Sequence, residues 1–197
     1  MSKKTLSTEY WNDLYKSNDI GWDIGFPSPP IKDYIDQLKN KDWKILIPGC
    51  GNAYEAEYLL TQGFTNVTLI DFAPMVTAKL EQRFERELGI RVHVITGDFF
   101  KHEDKYQLIL EQTFLSALEP SLRTSYAEKM RSLLVKGGQL VGVLFNERFE
   151  EGPPFGGSVQ EYKDLFSNYF SIKSMAACYN SIERREGSEV FINLIAR

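Results

Sequence analysis

The stretch from Lys44 to Asp71, KILIPGCGNAYEAEYLLTQGFTNVTLID, constrains the fold of this chain more than any other. It opens on Ile45-Leu46-Ile47, an apolar run too short and too β-branched for a helix. Pro48-Gly49-Cys50-Gly51 follows as a turn, and Ala56, Leu59 and Leu60 then recur at helical spacing. A second apolar run, Val67 to Ile70, ends in the carboxylate of Asp71. Strand, glycine turn, helix, strand and acid make one βαβ unit. Such units build a parallel sheet whose ligand sits at the carboxyl ends of its strands. Gly49 and Gly51 would let the backbone approach a ligand where a Cβ would collide. Asp71 lies about 20 residues beyond the turn, where an acid accepts hydrogen bonds from ribose hydroxyls.

The details narrow the ligand. A dinucleotide fingerprint requires a third glycine, but here the run is Gly49-x-Gly51-x-x-Tyr54, and no Gly-Lys-Ser/Thr is present to grip a triphosphate. Phe72 follows Asp71, with no Arg or Lys beside it to meet a 2′-phosphate. A ribose-binding acid beside a poor pyrophosphate cradle points to a nucleoside without phosphates, and S-adenosylmethionine (SAM) is the cofactor expected.

At 197 residues the chain fits one domain with a full core. A formal charge of −4 does not favour a general nucleic-acid binder. No apolar run approaches the roughly 20 residues of a membrane span, and MSKKTLSTEY lacks the apolar core of a signal peptide. Two cysteines, Cys50 and Cys178, make neither a disulfide framework nor a metal site, so a cytoplasmic location is the default. Oligomeric state is not legible from one chain.

Residues 1–43 read as N-terminal helices and a lid. Thr8 is suited to cap a helix through Trp11, Leu14 and Tyr15, and Asn18 to Pro30 is a glycine- and proline-punctuated loop. Trp22 and Phe26 in that loop argue against a linker and for packing or closure over a cleft. Ser28 or Pro29 begins a second helix with Ile31, Tyr34, Ile35 and Leu38 inward. After Asp71 the pattern predicts a helix from Pro74 to about Leu88, a third strand over 91–95 and a fourth over 106–110. A helix over about 121–134 stopped by Lys136-Gly137-Gly138 and a fifth strand over 139–145 follow. A helix near 158–168 precedes two last runs, about 170–179 and 189–196. Too few residues separate those runs for a helical crossover, so they should pair antiparallel. The expectation is one α/β Rossmann-like domain over 1–197, with its core at 44–197. Its doubly wound, mostly parallel seven-stranded sheet would end in an antiparallel hairpin.

Five motifs in order resemble the thiopurine S-methyltransferase family. They are Trp22-Asp23-Ile24-Gly25-x-Pro27-x-Pro29, Leu46-Ile47-Pro48-Gly49-Cys50-Gly51, Gly97-Asp98-Phe99-Phe100, Leu118-x-Pro120-x-x-Arg123 and Gly152-Pro153-Pro154-Phe155. The similarity runs from about Trp11 to Glu189 and is nearest the plant and bacterial halide/thiol branch, the "harmless to ozone layer" type. The resemblance implies a class I methyltransferase fold, SAM as methyl donor and small soft nucleophiles as acceptors: thiols, hydrosulfide, thiocyanate, halides or thiopurines. Carried onto this sequence, its cofactor contacts fall on Trp11, Trp22, Gly49, Asp71, Asp98 and Phe99. At the end of the fourth strand the plant-like pattern reads Asp-Tyr and thiopurine enzymes place Arg second. This chain has Glu111-Gln112, and Gln112 can still hydrogen-bond a ribose or carboxylate.

Methyl transfer from a sulfonium is an in-line displacement in which an anion and a cation neutralise each other, so positioning and desolvation carry the catalysis. An acceptor ionised at neutral pH needs no general base, which suits a chain with two histidines and no nucleophile–His–acid constellation. His93 reads as structural or solvent-facing, and His102 as a residue near the rim. Asp71 would accept from ribose, with Gly51 and Phe72 beside it; Asp98 would meet the adenine amino group, with Phe99 over the ring. Each has a plainer reading, a strand-end or turn cap for the acids and core for the Phe. Phe26, Phe114 and Phe155 are candidate walls of an acceptor pocket, and Arg184 or Arg185 could steer an anion. The expected partner is a small-molecule acceptor, with neither nucleic acid nor membrane. Two alternatives stay open here. A nicotinamide oxidoreductase is weakened by the missing glycine and by the absence of a Tyr-x-x-x-Lys pair, and a SAM- or nucleoside-binding module would show binding without turnover.

Overall fold

The structure is a computed structural model that describes residues 6–197. Helix α1 (Thr8–Ser17) is capped by Ser7 rather than Thr8, because the Ser7 hydroxyl reaches the Tyr10 N–H at 3.3 Å. Helix α2 (Pro29–Asp36) places proline in its first turn and buries Ile31 and Ile35. Strand β1 (Ile45–Pro48), α3 (Tyr54–Thr61) and β2 (Val67–Asp71) are the expected βαβ unit. Both strands are buried on either face, as a parallel sheet covered by helices requires.

Helix α4 (Pro74–Arg83) is shorter than the periodicity predicts. Val76, Leu80 and Phe84 are buried in sequence, but the fourth member of the stripe, Leu88, is 39% exposed. The chain has already left the helix there and turns through Gly89 at φ +72° into β3 (Val92–Thr96). Strand β4 (Tyr106–Gln112) leads into the one-turn helix α5 (Phe114–Ala117) and then α6 (Arg123–Leu133). The Lys136-Gly137-Gly138 stop is not a helix cap. Strand β5 (Leu134–Phe145) begins directly after α6, and the glycines lie where its register against β4 jumps, from Leu134 beside Tyr106 to Gln139 beside Leu108. Glycines in a strand mark such bulges as readily as helix ends. Helix α7 (Val159–Phe166), β6 (Phe170–Ala177) and β7 (Glu189–Ala196) complete the chain.

The seven strands lie in the order β3-β2-β1-β4-β5-β7-β6, with β7 antiparallel to both neighbours. This is the anticipated doubly wound sheet with its reversed strand. One apolar core lies on the face holding Ile31, Ile35, Ala56 and Leu59; the other holds Tyr126, Met130, Phe166 and Phe170. Among the described residues, no helix is long and apolar enough to cross a membrane. The order change between β1 and β4 sets their carboxyl ends on opposite crossovers and leaves a crevice between them.

Candidate functional site

That crevice is a cleft of about 860 Å³. Its floor is Gly49 after β1, Asp71 and Phe72 after β2, Asp98 and Phe99 after β3, Thr113 and Phe114 after β4, and Phe145 ending β5. Tyr10, Trp11 and Tyr15 from α1, Trp22 from the loop, Phe149, Pro153 and Pro154 after β5, and Arg184 and Arg185 before β7 close the sides.

Asp71 is fixed by the glycine turn. Its Oδ2 accepts the Gly51 N–H at 3.0 Å and its Oδ1 accepts the Ala73 N–H at 2.9 Å. Burial pushes its carboxyl above the usual aspartate range, against the pull of those N–H groups. Gly51 itself is not among the residues that line the cleft. Its backbone holds the acid, and a Cβ there would stand 2.9 Å from the Tyr15 hydroxyl oxygen. At Gly49 (φ +55°) the space of a Cβ is filled by the Phe114 ring, 2.2 Å away at its nearest carbon. Glycine here lets Phe114 form the wall.

Asp98 has a double position. One carboxyl oxygen accepts the Phe100 N–H at 2.9 Å and caps the short turn Phe99–Lys101, and the residue also lines the cleft. Phe99 meets Phe114 edge-on at 5.1 Å and Phe100 at 5.4 Å. Trp22 stands edge-on to Trp11 at 5.6 Å and to Tyr15 at 5.7 Å. The Trp22 loop is tethered on three sides. The Asp23 carboxylate accepts from the Asn52 amide and the Tyr54 hydroxyl, the buried Glu55 accepts the Ser28 N–H at 2.9 Å, and Arg184 and Arg185 bind its carbonyls.

Behind Phe114 lies Glu111, fully buried, which accepts the Leu115 N–H at 3.1 Å and the Tyr126 hydroxyl. Burial raises its carboxyl to about 7, more than those donors lower it. Thr113 between them is in the left-handed region at φ +60°, unusual for a β-branched residue that lines the cleft floor.

Three further expected site residues lie elsewhere. Phe26 is 48% exposed and off the cleft. Gln112 follows the strand alternation onto the sheet face of Leu108 and Leu110, where its Oε1 is buried without a partner. Phe155 packs on Gly152 and donates its N–H to the Ser116 carbonyl at 2.6 Å. Glu147 is exposed and borders the cleft. His93 is exposed, and His102 bonds the Tyr106 hydroxyl at 2.7 Å outside the lining. Tyr10, Phe149 and Pro153-Pro154 also border the cleft, but an aromatic ring on a helix or loop and a proline pair are signals too common to select them from sequence.

Five carboxylates (Asp19, Asp71, Asp98, Glu119 and Glu147) and two arginines stand among the described lining residues, with no lysine or histidine. Such a field, with indole and phenol rings to one side, favours a cationic ligand. A strand-end acid for ribose, a second acid and Phe99 for a purine, and aromatics for a sulfonium fit SAM.

Residues 6–192 match the family described as Thiopurine S-methyltransferase (TPMT). The "Probable thiol methyltransferase 2" of Arabidopsis thaliana is 29% identical over 160 residues, covering 79% of this chain and 70% of that one. A "Thiopurine S-methyltransferase" of Vibrio parahaemolyticus is 28% identical over 178 residues, 82% of each chain. In architecture the chain is similar to magnesium protoporphyrin IX methyltransferase of Synechocystis PCC 6803, solved with bound SAM, at a TM-score of 0.72, 14% identity and full coverage of both chains.

Proposed function

Because this chain belongs to the thiopurine S-methyltransferase family, we infer that its cleft is the active centre of a SAM-dependent methyltransferase for thiol- or thiopurine-type acceptors. The two alternatives read from the sequence, a nicotinamide enzyme and a binding module without turnover, give way to that membership. The observation that carries the residue-level reading is the carboxylate of Asp71, held at the end of β2 by the Gly51 N–H and facing the cleft.

When bound, SAM supplies a methyl group on a positively charged sulfur. Asp71 takes the ribose hydroxyls, since its two oxygens keep lone pairs beyond the two they give to backbone N–H groups. Asp98 and Phe99 hold the purine, with Phe72 at its rim. Trp11, Tyr15 and Trp22 present rings to the sulfonium side and keep water out. Phe114, Phe145, Phe149 and Pro153-Pro154 enclose the acceptor, and Arg184 draws an anionic one to the mouth. Among the described lining residues there is no lysine or histidine to act as base, which supports acceptors that arrive ionised: thiolates, hydrosulfide, thiocyanate and halides. The free thiols of Cys50 and Cys178 support action in the cytoplasm.

The test is incubation of the purified protein with methyl-labelled SAM and separate thiocyanate, hydrosulfide, iodide, small-thiol and thiopurine acceptors. Methylated volatile products from the small anions would extend the reading to that class, and thiopurine-only turnover would refute that extension. A protein that binds no SAM in calorimetry would overturn the assignment of the cleft.

A further inference from the structure

Two consecutive arginines in the turn Glu183–Arg185, between β6 and β7, donate to two consecutive carbonyls of the Trp22 loop. Arg185 Nη2 reaches the Trp22 oxygen at 2.7 Å and Arg184 Nη2 the Asp23 oxygen at 2.8 Å. The two are not equivalent. Arg184 is exposed, whereas Arg185 is 6% exposed, with Nη1 3.2 Å from Glu189 Oε1 and its guanidinium 5.3 Å from the centre of the Phe145 ring.

A buried guanidinium needs a charge partner, and Glu189, at the start of β7, provides it. The reach to Trp22 is a second commitment that a planar fork can make and a point charge cannot. On the far side of that carbonyl, the Trp22 ring stands against Trp11 and Tyr15, and Asp23 is tied to the chain just after the glycine turn. Arg185 thus joins the β7 end of the sheet to the loop whose Trp22 lines the cleft.

We propose that Arg185 is a positioning residue that locks the Trp22 loop to the sheet across the cleft. The aromatic wall of Trp11, Tyr15 and Trp22 then stands ready before the cofactor enters. This rests on the SAM reading above. Preset walls favour binding because less ordering remains to be done on association.

The test compares R185K with E189Q and wild type, titrating S-adenosylhomocysteine by calorimetry and recording melting temperatures. Lysine can keep the Glu189 pair but cannot span to the Trp22 carbonyl as well, while E189Q weakens the pair and leaves that span. R185K should melt near wild type and bind S-adenosylhomocysteine at least about tenfold more weakly. E189Q should melt lower and bind within about threefold of wild type. An R185K that binds like wild type overturns the role of Arg185, as does an E189Q that loses as much affinity as R185K. Hydrogen exchange on wild type decides the same point without relying on variant folding. S-adenosylhomocysteine should protect residues 20–25 and 182–188 together, and protection of the loop alone overturns the lock. A wild type that does not bind S-adenosylhomocysteine overturns the cofactor reading itself, an outcome distinct from either variant result.

Discussion

Replacing Glu111 by glutamine should change how stability depends on pH rather than simply lower it. The carboxyl is fully buried and its pKa rises from an ordinary 4.5 to about 7. At about 1.4 kcal/mol for each tenfold, the folded protein favours the neutral acid by on the order of 3 kcal/mol. Because the folded pKa is the higher one, that contribution is fully present below about 4.5 and is lost as pH rises through about 7. Glutamine keeps one acceptor for either the Tyr126 hydroxyl or the Leu115 N–H, and its amide group must face the other donor. Imperfect pairing of that kind costs a constant of about 1–2 kcal/mol. Urea unfolding of both proteins from pH 5 to pH 8.5 isolates the group, since all other titrations cancel in the difference. Wild type should be the more stable at pH 5 by up to about 1 kcal/mol, and E111Q should draw level or overtake it by pH 7. A difference that does not vary with pH would refute the argument that burial dominates the energetics of this carboxyl.

Asp71→Ala should weaken S-adenosylhomocysteine binding by roughly 1–3 kcal/mol, the cost of an unmade hydrogen bond in a buried site; unchanged affinity in calorimetry would remove Asp71 from the contacts. Trp22→Ala should reduce turnover while the melting temperature moves little, and a large drop in melting temperature with normal activity per folded molecule would make the ring a structural anchor. Gly49→Ala places a Cβ 2.2 Å from the Phe114 ring at a φ of +55°, so it should destabilise by about 2–4 kcal/mol and raise the acceptor KM. Denaturation midpoints and initial rates measure both effects, and a variant with wild-type values for both would show that Phe114 moves aside freely.

The sheet, and the place of Asp71 at the end of β2, were legible because their signals are local: a four-residue apolar run, a glycine turn and a strand-end acid read the same in any context. What failed depended on context. Gln112 was placed by its position at the end of β4, but its side chain follows Leu108 and Leu110 to one sheet face, and it is Thr113, just past the strand in the left-handed region, that reaches the cleft. Lys136-Gly137-Gly138 looked like a helix stop because glycine serves caps and bulges alike, and only the pairing of β5 with β4 separates them. Arg184 and Arg185 are identical in type and adjacent, so nothing in the sequence said which would be buried against Glu189. Phe26 carries the aromatic signature of a wall yet lies off the cleft, because the tethers at Asp23 and Ser28 fix the loop on either side of it.

The placement of β7 between β5 and β6 bears on the order of events during synthesis. Residues 189–196 are made after every strand they join, yet they occupy an interior position in the sheet. Until they leave the ribosome, β5 presents one open edge along Gln139 to Phe145, and β6 has no neighbour at all. Open edges recruit other chains. A polypeptide stalled or cut near Ser188 would therefore keep the five-stranded parallel part of the sheet, including the ends that carry Gly49, Asp71 and Asp98, while offering a sticky margin to its neighbours. Shortening the chain from its carboxyl end is expected to cost solubility long before it reaches a residue of the cleft floor.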